Sequence, residues 1–128
     1  MRNKIVLHYL DGQILKGTTC NFSADKEWFH LTKRNTGQTI KVNPSQLKGV
    51  FFVKSFDGNR AHRERYGIHR PGLGRKVSVS FKDGENVIGH TTGVSPDKKG
   101  FFVFFSDPIS NNEKVFVLTA ATHNIRLV

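Results

Sequence analysis

The densest set of groups able to bind an anion lies in one segment, residues 57–76, which reads DGNRAHRERYGIHRPGLGRK. A guanidinium offers paired donors to a phosphate or a guanine edge, and its flat face stacks on bases. A tyrosine ring adds a platform for stacking. The segment therefore predicts an anion or nucleotide site, and the alternative is a solvated linker. The candidate binding residues are Arg60, Arg63, Arg65, Arg70, Arg75, Lys76 and Tyr66.

Other reactive side chains form no recognisable catalytic or metal pattern. Cys20 is the single cysteine, and no histidine stands at zinc-finger spacing from it. His62 and His69 in the basic segment do not make a metal site by themselves. No nucleophile, base and orienting group recur together, and there is no phosphate-cradling glycine loop of the P-loop form. We expect no enzymatic activity, no catalytic residue, no metal and no cofactor.

The overall charge favours a polyanionic partner. The 128 residues carry a formal charge of +10, which attracts polyanions and speeds their encounter. Clustered arginine suits a compact ligand, whereas lysines spread along the chain suit a long polyanion such as RNA. Both distributions are present, so both partners remain open. The spread lysines are Lys16, Lys26, Lys33, Lys41, Lys48, Lys82, Lys98, Lys99 and Lys114.

The cellular setting is predicted from what the composition lacks. A single cysteine cannot form an internal disulfide, which fits a reducing compartment. The N-terminal MRNKIVLHYLDG has no apolar run of signal-peptide length, and no stretch approaches the length of a membrane span. We expect a cytoplasmic protein that does not insert into a membrane.

An internal repeat supplies the framework for these residues. DGQILKGTTCNFSADK at 11–26 and DGENVIGHTTGVSPDK at 83–98 match at a shift of 72 positions without a gap. After residue 32 the second copy carries three extra residues, and a shift of 75 then continues the match. The chain is therefore an internal duplication.

Each copy reads as five short strands. KVSVSF at 76–81 alternates apolar and polar residues, which is typical of a half-buried strand. Asp-Gly then predicts a tight hairpin. Glycine within the next strand, Gly17 or Gly89, is expected to mark a bend or bulge. The further strands are expected at about 18–23, 28–33, 38–43 and 49–54, with partners at about 90–95, 100–105, 113–118 and 123–128.

Short, bent strands in so few residues bury a face by curling into a small barrel. The predicted fold is all-β, with two tandem five-stranded barrels packed on each other. The first repeat covers 1–56, the basic connector 57–75 and the second repeat 76–128. A sandwich of all ten strands fits the same pattern.

Four apolar residues fall on the predicted outer faces of the barrels: Val6, Leu10, Phe102 and Phe104. A large apolar group on an outer face needs a neighbour to cover it. We expect these residues to pack one barrel on the other, and the alternative is a surface for a partner protein.

The pattern IVLHYLDGQILKG…NFSADKEWFHLT…TIKVNPSQLKGVFF resembles the strand-DG-strand plan of Sm-like and SH3-like small barrels. The doubled text, with FSADK, SPDKKGFF, SNNEKVFV and an arginine-rich middle, resembles an uncharacterised bacterial domain family associated with signalling proteins that also carry PilZ domains. That resemblance covers nearly the whole chain and implies no established activity.

A weaker likeness connects the chain to PilZ domains themselves, which bind cyclic di-GMP through Arg-x-x-x-Arg and a later Asp/Asn-x-Ser-x-x-Gly. Arg70 and Arg75 precede the second repeat, but they are five positions apart instead of four. Asn21-Phe22-Ser23 begins the second motif, and Lys26 stands where glycine belongs. The likeness implies at most a divergent cyclic di-GMP site.

The sequence therefore predicts a non-catalytic regulatory or signalling module that binds an anionic nucleotide such as cyclic di-GMP through the connector. One alternative is an Sm-like RNA-binding protein. The other is an adaptor that contacts a signalling protein and takes no small ligand.

Overall fold

The computed structural model describes residues 2–58, 61–68, 70–95 and 97–128. It confirms the all-β prediction. The strands are β1 Asn3–Tyr9, β2 Ile14–Thr19, β3 Phe29–Lys33, β4 Thr39–Val42, β5 Leu47–Val53, β6 Arg75–Phe81, β7 Asn86–Thr91, β8 Gly100–Phe105, β9 Asn112–Leu118 and β10 Thr122–Leu127. The helical segments of the described residues are three-residue 3₁₀ turns at Pro44–Gln46, Pro71–Leu73 and Thr119–Ala121, and none of them could cross a membrane.

The strands form a single antiparallel sheet of ten strands in the order β10-β6-β7-β8-β9-β5-β1-β2-β3-β4. Within each repeat the order is the same: fifth, first, second, third, fourth. The two repeats join where β9, the fourth strand of repeat 2, pairs with β5, the fifth strand of repeat 1. Among the described strands this sheet does not close, so the expectation of two closed barrels is not confirmed.

The strand register confirms the duplication. Ile5 lies opposite Gly17 in repeat 1, and Val77 lies opposite Gly89 in repeat 2, each shifted by 72. The other ladders repeat in the same way: Leu7 with Val50 and Val79 with Ile125; Phe29 with Val42 and Phe101 with Val117. Both copies therefore use one backbone plan.

The glycines in the second strands allow a close approach of backbones. A Cβ on Gly17 would lie 2.3 Å from the carbonyl oxygen of Thr32, and a Cβ on Gly89 would lie 2.3 Å from that of Phe104. Of the expected bend or bulge, the bulge is not found at these glycines, because the register irregularities of the described ladders lie in other strands, for example between His8 and Tyr9. Strand contact, not a bulge, requires glycine here.

The strands expected at about 18–23 and 90–95 lie earlier in the chain, at Asn86–Thr91 for β7 and at Ile14–Thr19 for β2, which ends at Thr19. Beyond it, side chains take over the backbone hydrogen bonds that would extend a strand. The Asn21 amide oxygen accepts from the backbone N–H of His30 at 3.0 Å, and the Ser23 hydroxyl accepts from the backbone N–H of Asp25 at 3.4 Å. Short polar side chains compete with the ladder in this way and favour turns.

The two repeats use opposite faces of the sheet for their cores. In repeat 1 the inner face carries Val50 and Phe52 of β5. In the β5–β9 pairing these residues stand opposite Phe116 and Lys114, which lie on the outer face of repeat 2. Since paired residues share a face, the inner face of one repeat continues as the outer face of the other. The inner face of each repeat is thus the face that carries its own core, and the outer face is the opposite one.

This continuity explains two of the four apolar outer residues. Val6 is buried in the core beside Phe51, its partner on β5. Phe102 packs against Phe52 of the other repeat, with ring centroids 6.1 Å apart. The four residues thus behave unequally. Val6 and Phe102 join the repeats, Phe104 contacts Phe102 at 6.4 Å and is half-buried, and Leu10 is exposed in a hairpin turn.

A buried lysine with two partly exposed carboxylates also ties the repeats together. Lys48 on β5 donates to Asp83 at 2.8 Å and to Glu85, both in the β6–β7 hairpin of repeat 2. Burial alone would lower the pKa of Lys48, but the hydrogen bonds to Asp83 and Glu85 outweigh it and raise that pKa. Lys48 is therefore a structural cation and is not available to a polyanion.

Candidate functional site

The connector is anchored to repeat 2 by Asp107, which follows β8. Its carboxylate is fully buried and accepts hydrogen bonds from His62 Nε2 at 2.7 Å and from the backbone N–H of Arg65 at 3.0 Å. The Arg65 guanidinium reaches both oxygens, with Nε 3.4 Å from Oδ2 and a terminal nitrogen 3.3 Å from Oδ1. Arg65 is thus committed to an internal ion pair.

The electrostatics of this anchor favour the ionised carboxylate. Burial would raise the pKa of Asp107, but hydrogen bonds from the Arg65 side chain, the backbone N–H groups of Ile109 and Arg65, and His62 hold it well below its ordinary value. A carboxylate with several donors is typically stabilised in its charged form.

His62, Glu64 and Asp107 place their ligand atoms within 4.8 Å of one another, a grouping that the sequence reading missed. Asp107 lies 45 residues beyond His62, so nothing local links the two. Because the Arg65 guanidinium already neutralises the Asp107 carboxylate, we assign no metal to the cluster.

The remaining connector residues do not converge on one site. Arg70 lines a cavity of about 210 Å³ together with Leu73 and Phe104. Arg75 and Lys76 line a different, open groove of about 950 Å³ beside Thr91 and Leu127. Arg63 and Tyr66 are exposed, and Arg60 lies outside the described residues. The predicted single arginine site is therefore divided among separate places.

A second cationic surface, not singled out from the sequence, covers the outer face of repeat 1. Three of the four lysines in strands β1 to β4 lie on this face, and these strands, all of them described, contain no carboxylate. We call this surface the basic face. It comprises Lys4, Lys16, Thr18, His30, Thr32, Thr39 and Lys41 on the strands, with Arg2, Trp28 and Arg34 at its margins.

One end of the basic face carries an exposed aromatic ring. Trp28 is 41% exposed, and the Lys41 Nζ lies 4.5 Å from its ring centroid. The His30 ring stands edge-on to the indole at 5.1 Å, and its Nδ1 lies 2.9 Å from the Asn21 amide nitrogen. The strand pairing of His30 with Lys41 holds this group together. A cation and a flat ring side by side can take a phosphate and its base.

The other end of the face gathers three cations around Phe56. The Arg34 guanidinium lies 5.0 Å from the Phe56 ring centroid, and Lys4 Nζ lies 5.9 Å from it. Lys16 donates to the Phe56 carbonyl at 2.8 Å. Asp57, 82% exposed, pairs with Arg34 at 3.4 Å, a surface ion pair of little strength.

Between the two ends lies a shallow polar groove of about 310 Å³. Hydroxyl, amide and imidazole groups line it, and the Thr32 and Thr39 hydroxyls are 3.0 Å apart. These groups can both donate and accept hydrogen bonds, so they suit sugar hydroxyls and base edges. Its lining residues are Arg2, Thr18, Thr19, Cys20, Asn21, His30, Thr32 and Thr39.

Repeat 2 does not reproduce the basic face. At the equivalent positions its outer face carries Phe102, Phe104 and Phe116, and Lys114 lies over three rings, 4.9 Å from the centroids of Phe52 and Phe102. This difference could have been found in the sequence by comparing the two copies position by position. Several polar residues of the first copy correspond to aromatic residues of the second.

The fold and these surfaces define a two-repeat, all-β protein with one cationic outer face and one apolar outer face. The chain belongs to a family of unknown function, DUF6982, whose model matches residues 1–128. No curated protein matches the chain. No solved structure matches it either.

Proposed function

We propose that the protein is a non-catalytic binding module and that its basic face binds single-stranded nucleic acid, in the first place RNA. The observation that carries this proposal is the combination on one face of Lys4, Lys16, Arg34 and Lys41 with the exposed Trp28 and with no strand carboxylate. Cations follow a phosphate backbone, and an exposed ring stacks a base whatever its sequence.

The proposed role of Trp28 and Lys41 depends on their geometry. Lys41 keeps its ammonium over the indole, where it adds to the positive potential beside an accessible ring. The threonine hydroxyls of the groove lie beside His30, which contacts the Trp28 ring, and they supply hydrogen bonds to ribose. We therefore expect single-stranded RNA to bind more tightly than a duplex, whose bases are not free to stack.

The test is fluorescence anisotropy with a labelled, unstructured RNA of about ten nucleotides, a length within the span of one small barrel. Trp28→Ala should weaken binding by roughly 1–3 kcal/mol, the usual contribution of one stacked base. Lys16→Gln should reduce the slope of log affinity against log salt by about 0.7, the value for one phosphate contact on a single strand.

Two matched variants on other surfaces serve as controls. Tyr66→Ala removes an exposed ring of the connector, 49% exposed against 41% for Trp28. Lys82→Gln removes an exposed lysine from the turn after β6. Both should leave the anisotropy curve unchanged. Equal losses in Trp28→Ala and Tyr66→Ala, or binding that ignores salt, would contradict the basic face as the site.

A compact anionic nucleotide is the second candidate, and the groove beside Arg75 and Lys76 favours it. This groove of about 950 Å³ is large enough for a cyclic dinucleotide, and the exposed Thr92 also lines it. Calorimetry with cyclic di-GMP should then show heat that Arg75→Gln abolishes. Heat that persists in Arg75→Gln would place any such ligand elsewhere.

We also propose that each repeat descends from a small five-stranded barrel in which the fourth strand meets the fifth. The support is the common strand order of the two repeats and the fourth-to-fifth pairing that joins them. A regulatory role is proposed on the resemblance to signalling-associated domains. If neither nucleic acid nor nucleotide binds, the adaptor function is the remaining candidate.

A further inference from the structure

The two edge strands of the sheet are the fourth strand of repeat 1 and the fifth strand of repeat 2, and these two kinds of strand can pair with each other. Among the described strands, β4 pairs only with β3, and β10 pairs only with β6. β4 is the fourth strand of its repeat and β10 the fifth strand of its own. Inside the chain, a fourth strand and a fifth strand already join the repeats, as β9 and β5. We propose that a second copy of this chain pairs with the first through β4 of one and β10 of the other.

The internal junction predicts the register of this contact. In the β5–β9 ladder Val50 faces Phe116, and Phe52 faces Lys114. The repeat shift of 75 converts these pairs into Ile125 facing Lys41 and Leu127 facing Thr39. The predicted contact is therefore antiparallel and about four residues long, which is the length of β4.

The free backbone groups agree with that register. Lys33 N–H donates to the Gln38 carbonyl at 2.8 Å, and Val128 N–H donates to the Lys76 carbonyl at 2.9 Å. Antiparallel ladders alternate bonded and non-bonded pairs, so two residues on each edge strand point their N–H and C=O groups away from the sheet. Those residues are Thr39 and Lys41 on β4, and Ile125 and Leu127 on β10, the same residues that the register brings together.

The side chains make this contact weaker than the internal one. Leu127 and Val128 are exposed apolar residues at the β10 edge, 42% and 68% exposed. Lys41 faces Ile125 in the predicted pairing. A lysine does not prevent such a pairing, because Lys114 occupies the β5–β9 junction with its ammonium over the Phe52 ring. Short, partly charged edges usually limit association, so we expect it to depend on protein concentration.

Each copy offers one edge of each kind, so the contact is heterologous and runs head to tail. An assembly of this type leaves one free β4 and one free β10 at its ends unless it closes into a ring. Blocking a different edge in each of two variants should therefore permit one contact and no more.

The experiment uses Thr39→Pro and Leu127→Pro in the full chain. Each proline removes an N–H that points outward and leaves the β3–β4 and β6–β10 hydrogen bonds in place, as edge strands tolerate. Wild-type protein should sediment faster as its concentration rises, and each variant alone should remain monomeric. The equimolar mixture should form a dimer that does not grow, through the intact β10 of Thr39→Pro and the intact β4 of Leu127→Pro.

A cysteine pair provides a test that does not depend on proline tolerance. In a Cys20→Ser background, Thr39→Cys and Leu127→Cys proteins should crosslink through a short bismaleimide when mixed, and much less when each is treated alone. Wild-type protein that stays monomeric at all concentrations, together with no crosslink in the mixture, would overturn the proposal. These experiments are done without nucleic acid, so their outcome is independent of the anisotropy test for RNA binding.

Discussion

The outer faces of the two repeats share one backbone plan and have opposite chemistry. In repeat 1 the face is polar, cationic and open to solvent, whereas in repeat 2 it is aromatic and largely covered. Equivalent positions hold Thr18 and His90, His30 and Phe102, Thr32 and Phe104, and Lys41 and Phe116. Duplication supplied two similar surfaces, and the one in repeat 1 stays largely exposed to solvent.

The difference follows from how the sheet is joined. Because β9 pairs with β5, the outer face of repeat 2 lies beside the core of repeat 1. Phe22 of repeat 1 meets Phe116 edge-on at 5.3 Å, so a polar residue at 116 would be desolvated. β2, β3 and β4 lie beyond this junction, and their outer side chains stay hydrated. Burial therefore selects aromatic residues in one copy and permits cations in the other.

The largest expected effect tests the face assignment itself. Val79 is fully buried on the inner face of repeat 2, and Ser80, the next residue, lies on the outer face. Val79→Asp places an unpaired charge in the core and should cost about 4 kcal/mol or more, enough to unfold repeat 2. Ser80→Asp should change the free energy of unfolding by less than about 0.5 kcal/mol. Similar losses in urea unfolding would refute the assignment.

A reciprocal exchange between the two outer faces should have the next largest effect. Phe116 is 3% exposed, so Phe116→Lys loses aromatic contacts and buries a charge, at a cost of about 3–5 kcal/mol. Lys41→Phe acts on an exposed residue and should stay within about 0.5 kcal/mol, while it weakens RNA binding. If both substitutions destabilise equally, the outer face of repeat 1 is covered as well, and the comparison fails.

A smaller effect concerns the connector, which borders the outer face of repeat 2 at Phe104. The lowered pKa of Asp107 means that its stabilising contribution is complete above its unfolded pKa of about 3.9 and is lost as pH falls through the lower folded value. Asp107→Asn should therefore lower the unfolding midpoint at neutral pH, and the difference from wild type should shrink at strongly acidic pH.

Trypsin supplies a local readout for the same variant. Release of the connector should speed cleavage at Arg63 and Arg65 in Asp107→Asn, while RNA binding by the basic face stays unchanged. A midpoint difference that persists at the lowest pH, or no change in cleavage, would show that Asp107 does not hold the connector.

Much of the fold could be predicted because its strands and turns depend on the pattern of neighbouring residues. The alternation in KVSVSF gives β6, and the matching Asp-Gly turns are stabilised alike, since Asp11 and Asp83 each accept a hydrogen bond from the backbone N–H two residues later. The end of β2 at Thr19 was missed because the Asn21 and Ser23 side chains accept hydrogen bonds from backbone N–H groups there and stop the ladder.

The candidate site was harder to predict, and the reason is again distance along the chain. The connector arginines looked like one site because they are close in sequence. Arg65, however, is neutralised by Asp107, 42 residues away, and Arg70 and Arg75 line different cavities. The basic face combines Lys4, Lys16 and Lys41 from three strands, so no contiguous sequence motif indicates it.

By itself, the sequence determined the all-β class, the duplication and the inward and outward positions of each strand, because these depend on periodicity and on turns formed by neighbouring residues. The joining of β9 to β5 depends on the tertiary structure, and this pairing sets which outer face is buried and which stays exposed to solvent. Strand pairing between distant segments is set by the burial of whole faces, and that balance involves residues from both repeats at once.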